Sequence, residues 1–333
     1  MRGLWKHSVV VVVVMVFVLS MVFVGATFAQ DKTYTLRVSM VITKGDNIYE
    51  GYEKFKQGVE ARTNGKIKVE LYPGGVLGRD EEILEQAVMG AEVCVNTDAG
   101  RLGVWAKEVG ILLCPYLTDS IEDWMKLLKS DLAKEWYAKV TKEKGLVVLA
   151  FNWYAGARHF LTKKPISKPE DLSGLKIRTP GAPVWQETIR ALGATPVALP
   201  WTEVYMALQQ GVIDGAEAQH PATFGSKLYE VAKYITKTGH IQLWNSPVVG
   251  EKWLKGLSSD YQKILFEEAV KAGDFATDLL LKMLTDLEAK MKAAGAIIND
   301  VDTTPFKKRA EAVYEKLGYQ EIRKKVLDFL GKK

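Results

Sequence analysis

The chain has 333 residues, with 45 basic against 40 acidic side chains and only two cysteines. That length exceeds what one hydrophobic core ordinarily serves, so two domains are expected, and two cysteines exclude a disulfide-scaffolded fold. The small positive excess, without a clustered basic stripe, gives no footprint for nucleic acid, and the Lys-rich end "EIRKKVLDFLGKK" reads as a solvated helix face.

The chain opens on two cations, an apolar run from Val9 to Phe28 and small residues at Thr27 and Ala29. This is the order of a secretory signal, placed at residues 1–29 with cleavage after Ala29; the run is also long enough for a retained anchor. Cleavage removes Arg2 and Lys6 from the 45 basic side chains, leaving 43 against 40 acids. From Tyr34, "YTLRVSMVI" reads as a strand. The next segment puts Ile48, Tyr52, Phe55 and Val59 on one helical stripe ending at Asn64-Gly65. "KIKVELYP" is a second strand, "GRDEEILEQAVMG" a helix with acids in its first turn, and "AEVCVNTD" a third strand. This βαβαβ order implies parallel strands open to ligands at their carboxyl ends. Cys94 and Cys114 both fall in apolar, strand-like runs and read either as a pair or as inert buried thiols.

One helix is expected over Ser120–Lys144. "GLVVLAFNWYAGARHFLT" then reads as a strand crossing between domains. The second domain repeats the first in "LKIRTP", "APVWQETIRALG", "TPVAL", "TEVYMALQQG" and "VIDGAEAQ", and "KYITKTGHIQLWNSPVVG" carries the chain back as a strand. Ser258–Ala294 has the spacing of one long helix. Two α/β lobes joined by several bending strands, with a cleft between them, are therefore expected.

Enzyme signatures are missing. The sequence holds no Gly-rich phosphate loop, no serine in a nucleophile elbow and no histidine pair at metal spacing; His159, His220 and His240 stand far apart. Arg178, by contrast, sits where a strand meets a helix beside Pro180 and Pro183. There a planar fork of donors suits a carboxylate and the stiff turn limits the entropy lost on binding. Arg158 follows the crossing and Glu217 ends another strand, so two cations and an acid converge on the cleft. If Glu217 pairs with one arginine, an arriving carboxylate takes the other. Trp153, Tyr154, Trp185, Trp201 and Trp244 cluster near strand ends, as core or as ligand wall.

The block "GARHFLTKKPISKPEDLSGLKIRTPGAPVWQETIRALGATPVALPWTEVYMALQQGVIDGAEA" resembles the solute-binding proteins of tripartite ATP-independent periplasmic (TRAP) transporters. "YPGGVLGRDEEILEQAVMGAEVCVNT" and "SSDYQKILFEEAVKAG" are similar to the same family's first lobe and long late helix. The resemblance implies a periplasmic-binding-protein-like α/β fold: two lobes with a hinge and an interlobe ligand cleft, and the late helix spanning both. Lobe I is expected at 30–154 and 243–286, and lobe II at 155–242 and 287–333. It implies a periplasmic, non-enzymatic protein that captures a small organic acid, closes, and delivers it to the TRAP membrane permease. The alternatives are a sensor input module or an enzyme on the same scaffold. Arg178 takes the role of bidentate carboxylate anchor, with Arg158 in support and Glu217 as the strand's acid. Where many members continue with Asn-Pro, this chain has Ala218-Gln219, so Gln219 or Trp185 is expected to reshape the pocket. From the first lobe the implied contacts are Asp46 or Asn47, and Thr97 or Asp98. No cofactor is implied, although some members wedge a cation against the ligand, for which Glu217 is the candidate. The tryptophans and the missing Asn-Pro favour a compact monocarboxylate, cyclic, aromatic or 2-oxo, over a polyhydroxylated one.

Overall fold

The computed structural model describes residues 32–332; the signal segment expected at 1–29 lies outside them. The strands are β1 (Tyr34–Ser39), β2 (Ile67–Tyr72), β3 (Val93–Asp98), β4 (Leu146–Val148), β5 (Trp153–Thr162), β6 (Lys176–Thr179), β7 (Thr195–Ala198), β8 (Gly215–Gln219), β9 (Tyr234–Gly250) and β10 (Ile297–Asp300). They join edge to edge in the order β2-β1-β3-β9-β5-β8-β6-β7, with β4 and β10 also pairing with β9. Strands β1–β3 are mutually parallel, as are β6, β7 and β8. Between these two parallel halves run β5 and β9, antiparallel to their neighbours β3 and β8 and to each other. The two-lobe α/β reading thus holds, with a mixed rather than a parallel sheet through the middle.

The longer helices are α1 (Asn47–Arg62), α2 (Asp80–Met89), α3 (Ile121–Leu128), α4 (Asp131–Lys144), α5 (Pro183–Leu192), α6 (Val204–Gln210), α7 (Ser259–Ala293), α8 (Thr304–Lys316) and α9 (Gln320–Leu330). Asp46 caps α1 by accepting from the Ile48 amide at 2.9 Å, and the stripe Ile48, Tyr52, Phe55 and Val59 is buried as its spacing predicts. Helix α7 runs 35 residues from its Ser258 cap, turning Ala272 and Ala276 towards α1, and Ala269 and Gly273 towards Trp153. The approach is close: a Cβ on Gly51 would lie 2.8 Å from both Ala276 Cβ and Trp153 Cζ3. Only glycine fits there.

Three expectations change. The single helix over Ser120–Lys144 is two, because Ser130 caps a new start by accepting from the Ala133 amide at 3.1 Å. The strand-like run at Cys114 is instead a 3₁₀ turn, Ile111–Leu113, buried as the core of a loop. Cys94 and Cys114 are both free and buried. Helix α9 buries Val326 and Leu330 in the same core as β1–β3, α8 packs Phe306 and Ala310 with β6 and α5, and Met291 and Ala296 join a third core with β8 and α6, so residues 287–333 divide among three cores. Among the described residues no helix is long and apolar enough to cross a membrane.

Candidate functional site

Arg178 lies near the end of β6, just before the Pro180–Pro183 turn that opens α5, and is 2 % exposed. Its Nε donates to Leu199 O at 2.9 Å and its guanidinium lies over the Trp201 ring at 5.3 Å. Among the described residues no carboxylate pairs with it. Burial pushes its pKa down to about 9; Glu217 pulls it up, while Arg158 and Arg101 push it down further. The group remains a cation at neutral pH, desolvated and without a counter-ion.

Arg158 has the opposite situation. The β5–β8 register sets it opposite Gln219, so the side chains at 158, 217 and 219 share one face of the sheet. Its Nε pairs with Glu217 Oε2, its Nη2 with Oε1 at 2.8 Å, and its Nη1 donates to Gln219 Oε1 at 2.8 Å. Thr179 Oγ1 donates to Glu217 at 3.0 Å, and His240 Nε2 lies 3.7 Å away. Burial alone would raise the Glu217 carboxyl, but Arg158 and His240 outweigh it and hold the pKa at about 2. Glu217 is therefore occupied behind Arg158, and a cation could bind it only by displacing the arginine. Among the described residues no group of three or more His, Cys, Asp or Glu could hold a metal ion.

The opposite wall comes from the first lobe. Asp98 caps the short helix Ala99–Leu102, accepting from the Gly100 and Arg101 amides at 2.9 and 3.1 Å, and Trp185 Nε1 reaches across to it at 3.1 Å. Arg101 engages Asp98, Asp80 Oδ2 at 3.3 Å and Glu81 at 2.8 Å. Burial raises Asp80 to about 6 against the pull of Arg101. Thr97 Oγ1, Asp80 Oδ1 and Asn245 Oδ1 are buried with no hydrogen-bond partner.

These walls enclose a cavity of about 60 Å³. Arg178, Arg158, Gln219, Trp185, Thr97 and Asp98 line it, and all six were singled out in the sequence. Asp80, Arg101, Asn96 and Asn245 also line it and were not. It adjoins an outer space of about 460 Å³ that shares Asp80, Arg101, Pro180 and Trp201.

Three candidates lie elsewhere. Asn47 is fully buried, its Nδ2 donating to Tyr154 O and Ala276 O at 2.9 and 3.0 Å. Trp153 donates to Ala269 O at 2.9 Å and packs 4.5 Å from the Tyr52 ring. Tyr154 packs against Trp244 with ring centroids 4.6 Å apart and tilted by 33°, and bonds Gln242. All three tie α1, β5, β9 and α7 together as core. Asp46, the alternative to Asn47, faces a separate space of about 240 Å³ beside Lys44 and Lys227.

Two α/β lobes meeting over a buried polar cavity have the build of an extracytoplasmic solute receptor. The chain belongs to the bacterial extracellular solute-binding proteins, family 7, whose family profile matches residues 38–321. It is 32% identical over 282 residues to the ectoine-binding periplasmic protein TeaA of Halomonas elongata, covering 80% of this chain and 82% of that one. A TRAP periplasmic solute-binding protein from Escherichia fergusonii, solved empty and open, is 41% identical with a TM-score of 0.78, covering 89% of this chain and 100% of its own. One from Ochrobacterium anthropi with bound L-fuconate is 35% identical with a TM-score of 0.86, covering 90% and 99%. The more identical open structure superposes less well than the ligand-bound one. In this chain the Trp185–Asp98 bond joins the two walls across the cleft.

Proposed function

We propose that this protein captures a hydroxylated monocarboxylate of the sugar-acid kind in the periplasm and delivers it to a TRAP permease. The observation that carries the reading is Arg178, a buried guanidinium with no counter-ion whose cavity offers room for one. The ligand carboxylate pairs bidentately with Arg178. Arg158, already held by Glu217 and Gln219, supplies field and shape rather than the primary grip. Thr97 and Asn245 bring acceptors that lack donors, and hydroxyl groups on the ligand supply them. This favours a hydroxylated chain over the aromatic or 2-oxo acid expected from the tryptophan count, because Trp153, Tyr154 and Trp244 support the core and only Trp185 and Trp201 face the ligand. L-fuconate on the Ochrobacterium relative fits this class.

The lobes, taken as 30–154 with 243–286 and 155–242 with 287–333 apart from the α9 docking described above, open by bending β5 and β9. Closing excludes water and strengthens the ion pair. No step of the cycle requires bond chemistry. A thermal-shift panel of L-fuconate, L-galactonate, D-glucuronate, ectoine, pyroglutamate and 2-oxobutyrate tests the ligand class. Stabilisation by sugar acids that disappears in Arg178→Met supports the proposal. Stabilisation by ectoine or the 2-oxo acid alone would overturn the hydroxylated class, and turnover of any acid seen by mass spectrometry would overturn the binding-only reading.

A further inference from the structure

The charges around the cavity come in equal numbers. Arg101, Arg158 and Arg178 line it with Asp80 and Asp98, and Glu217 stands behind Arg158 as its ion-pair partner, so three cations are set against three carboxylates before any solute arrives. Glu81 also touches Arg101, but from the outside, at 59% side-chain exposure, where water screens it. A carboxylate settling on Arg178 therefore leaves one surplus negative charge among side chains that are themselves buried, and such a charge is costly unless neutralised. Two of the three acids are fully engaged: Asp98 by two amides, Trp185 and Arg101, and Glu217 by Arg158 and Thr179. Asp80 keeps one oxygen, Oδ1, buried without a partner, on a residue 5% exposed that lines both the cavity and the outer space.

We propose that solute capture takes up one proton from solvent and that Asp80 receives it on Oδ1, turning an orphaned acceptor into a donor facing the bound acid. The inference rests on Arg178 being the carboxylate anchor. Burial already raises Asp80 to about 6 without ligand. Arg101 after β3 and Arg178 on β6 resist the rise, while Glu81 on its own helix and Asp98 at the end of β3 assist it. The amino end of α2 also favours the anion. A ligand carboxylate on Arg178 cancels that arginine's help, so the bound state holds the proton more firmly than the empty one. In the open, wet protein Asp80 returns towards the ordinary aspartate value of about 3.9.

Calorimetry with L-fuconate at pH 6, in buffers of different ionisation enthalpy, reads the proton directly; at least about half a proton per ligand should be taken up. Wild-type affinity should be roughly fourfold or more tighter at pH 5.5 than at pH 7.5, because ligand carboxylates stay ionised across that range. Asp80→Asn, which mimics the protonated form, should bind at pH 7.5 at least as tightly as wild type and lose most of the pH dependence. Should that variant not fold, wild-type proton uptake alone decides. Zero uptake overturns the inference, as does an Asp80→Asn that binds weakly at every pH, since Asp80 would then act as an ionised acceptor. Failure of the anchor reading is separate and shows as Arg178→Met binding like wild type. Should L-fuconate not bind, the acid giving the largest shift in the panel replaces it, and no binding acid at all overturns both.

Discussion

Arg178 and Arg158 lie in one cavity but should respond oppositely to the same change. Replacing Arg178 by Met removes a cation that has no protein counter-ion, so the empty protein should keep its stability, within about 0.5 kcal/mol, or gain slightly. Its ligand, however, loses a buried charge-assisted pair worth about 2–5 kcal/mol. At tenfold per 1.4 kcal/mol, Kd should rise roughly thirtyfold to several thousandfold. Replacing Arg158 by Met instead strands Glu217, which is fully buried, and leaving one partner of a buried pair uncompensated costs about 3–5 kcal/mol of folding stability. Urea unfolding and calorimetry on both variants give the four numbers. Equal stability losses, or an Arg178→Met that still binds within tenfold of wild type, would refute the assignment of anchor and support.

Trp185→Phe keeps a ring over Arg158 but loses the 3.1 Å bond to Asp98, and should weaken binding about tenfold while small-angle scattering shows a more open liganded form. Gly51→Ala should destabilise by about 1–3 kcal/mol in denaturant titration, because the new methyl meets Ala276 and Trp153 at 2.8 Å. Asp46 has its pKa raised by burial from 3.8 to about 7, partly opposed by its bond from the Ile48 amide. A raised folded value means stability is full below the unfolded pKa and falls as pH rises through 7. Asp46→Asn should therefore raise Tm at pH 8 and leave it unchanged below pH 4. Glu217, held down at about 2, acts in the other sense: its contribution is present above the unfolded value of 4.5 and should fade in acid titration as pH falls towards 2.

Much of the site was legible because ligands in open α/β sheets gather at strand ends, which Arg178, Gln219 and Thr97 occupy, while Arg158 sits in mid-β5 directly opposite Gln219. What stayed hidden was sidedness. Tryptophan and tyrosine next to a strand end read alike whether they face the cleft or the core, and only packing against Gly51 and Gly273 sends Trp153 inward. Asp80 passed as an ordinary acid at a helix start. Arg101 sits on a helix of four residues, too short for any periodicity to reveal. Asn245 lies within the long strand β9, where no local signal separates a ligand contact from a ladder residue. The break at Ser130, by contrast, was readable, since serine before "DLAKE" is a capping signature.

Strand β9 pairs with β10 and β5 from Tyr234, the β5 pairing reaching Asn245, and with β3 and β4 from Asn245 to Gly250, so its 17 consecutive residues belong to both sides of the molecule. A bulge of four residues, Lys237 to His240, interrupts its register with β5 near Arg158, and Gly239 there takes a φ of 56°. Swinging the halves apart therefore means winding and unwinding a shared ribbon rather than slackening a tether. Travel is guided along one arc, and a protease would find little loose chain to cut between the two sides.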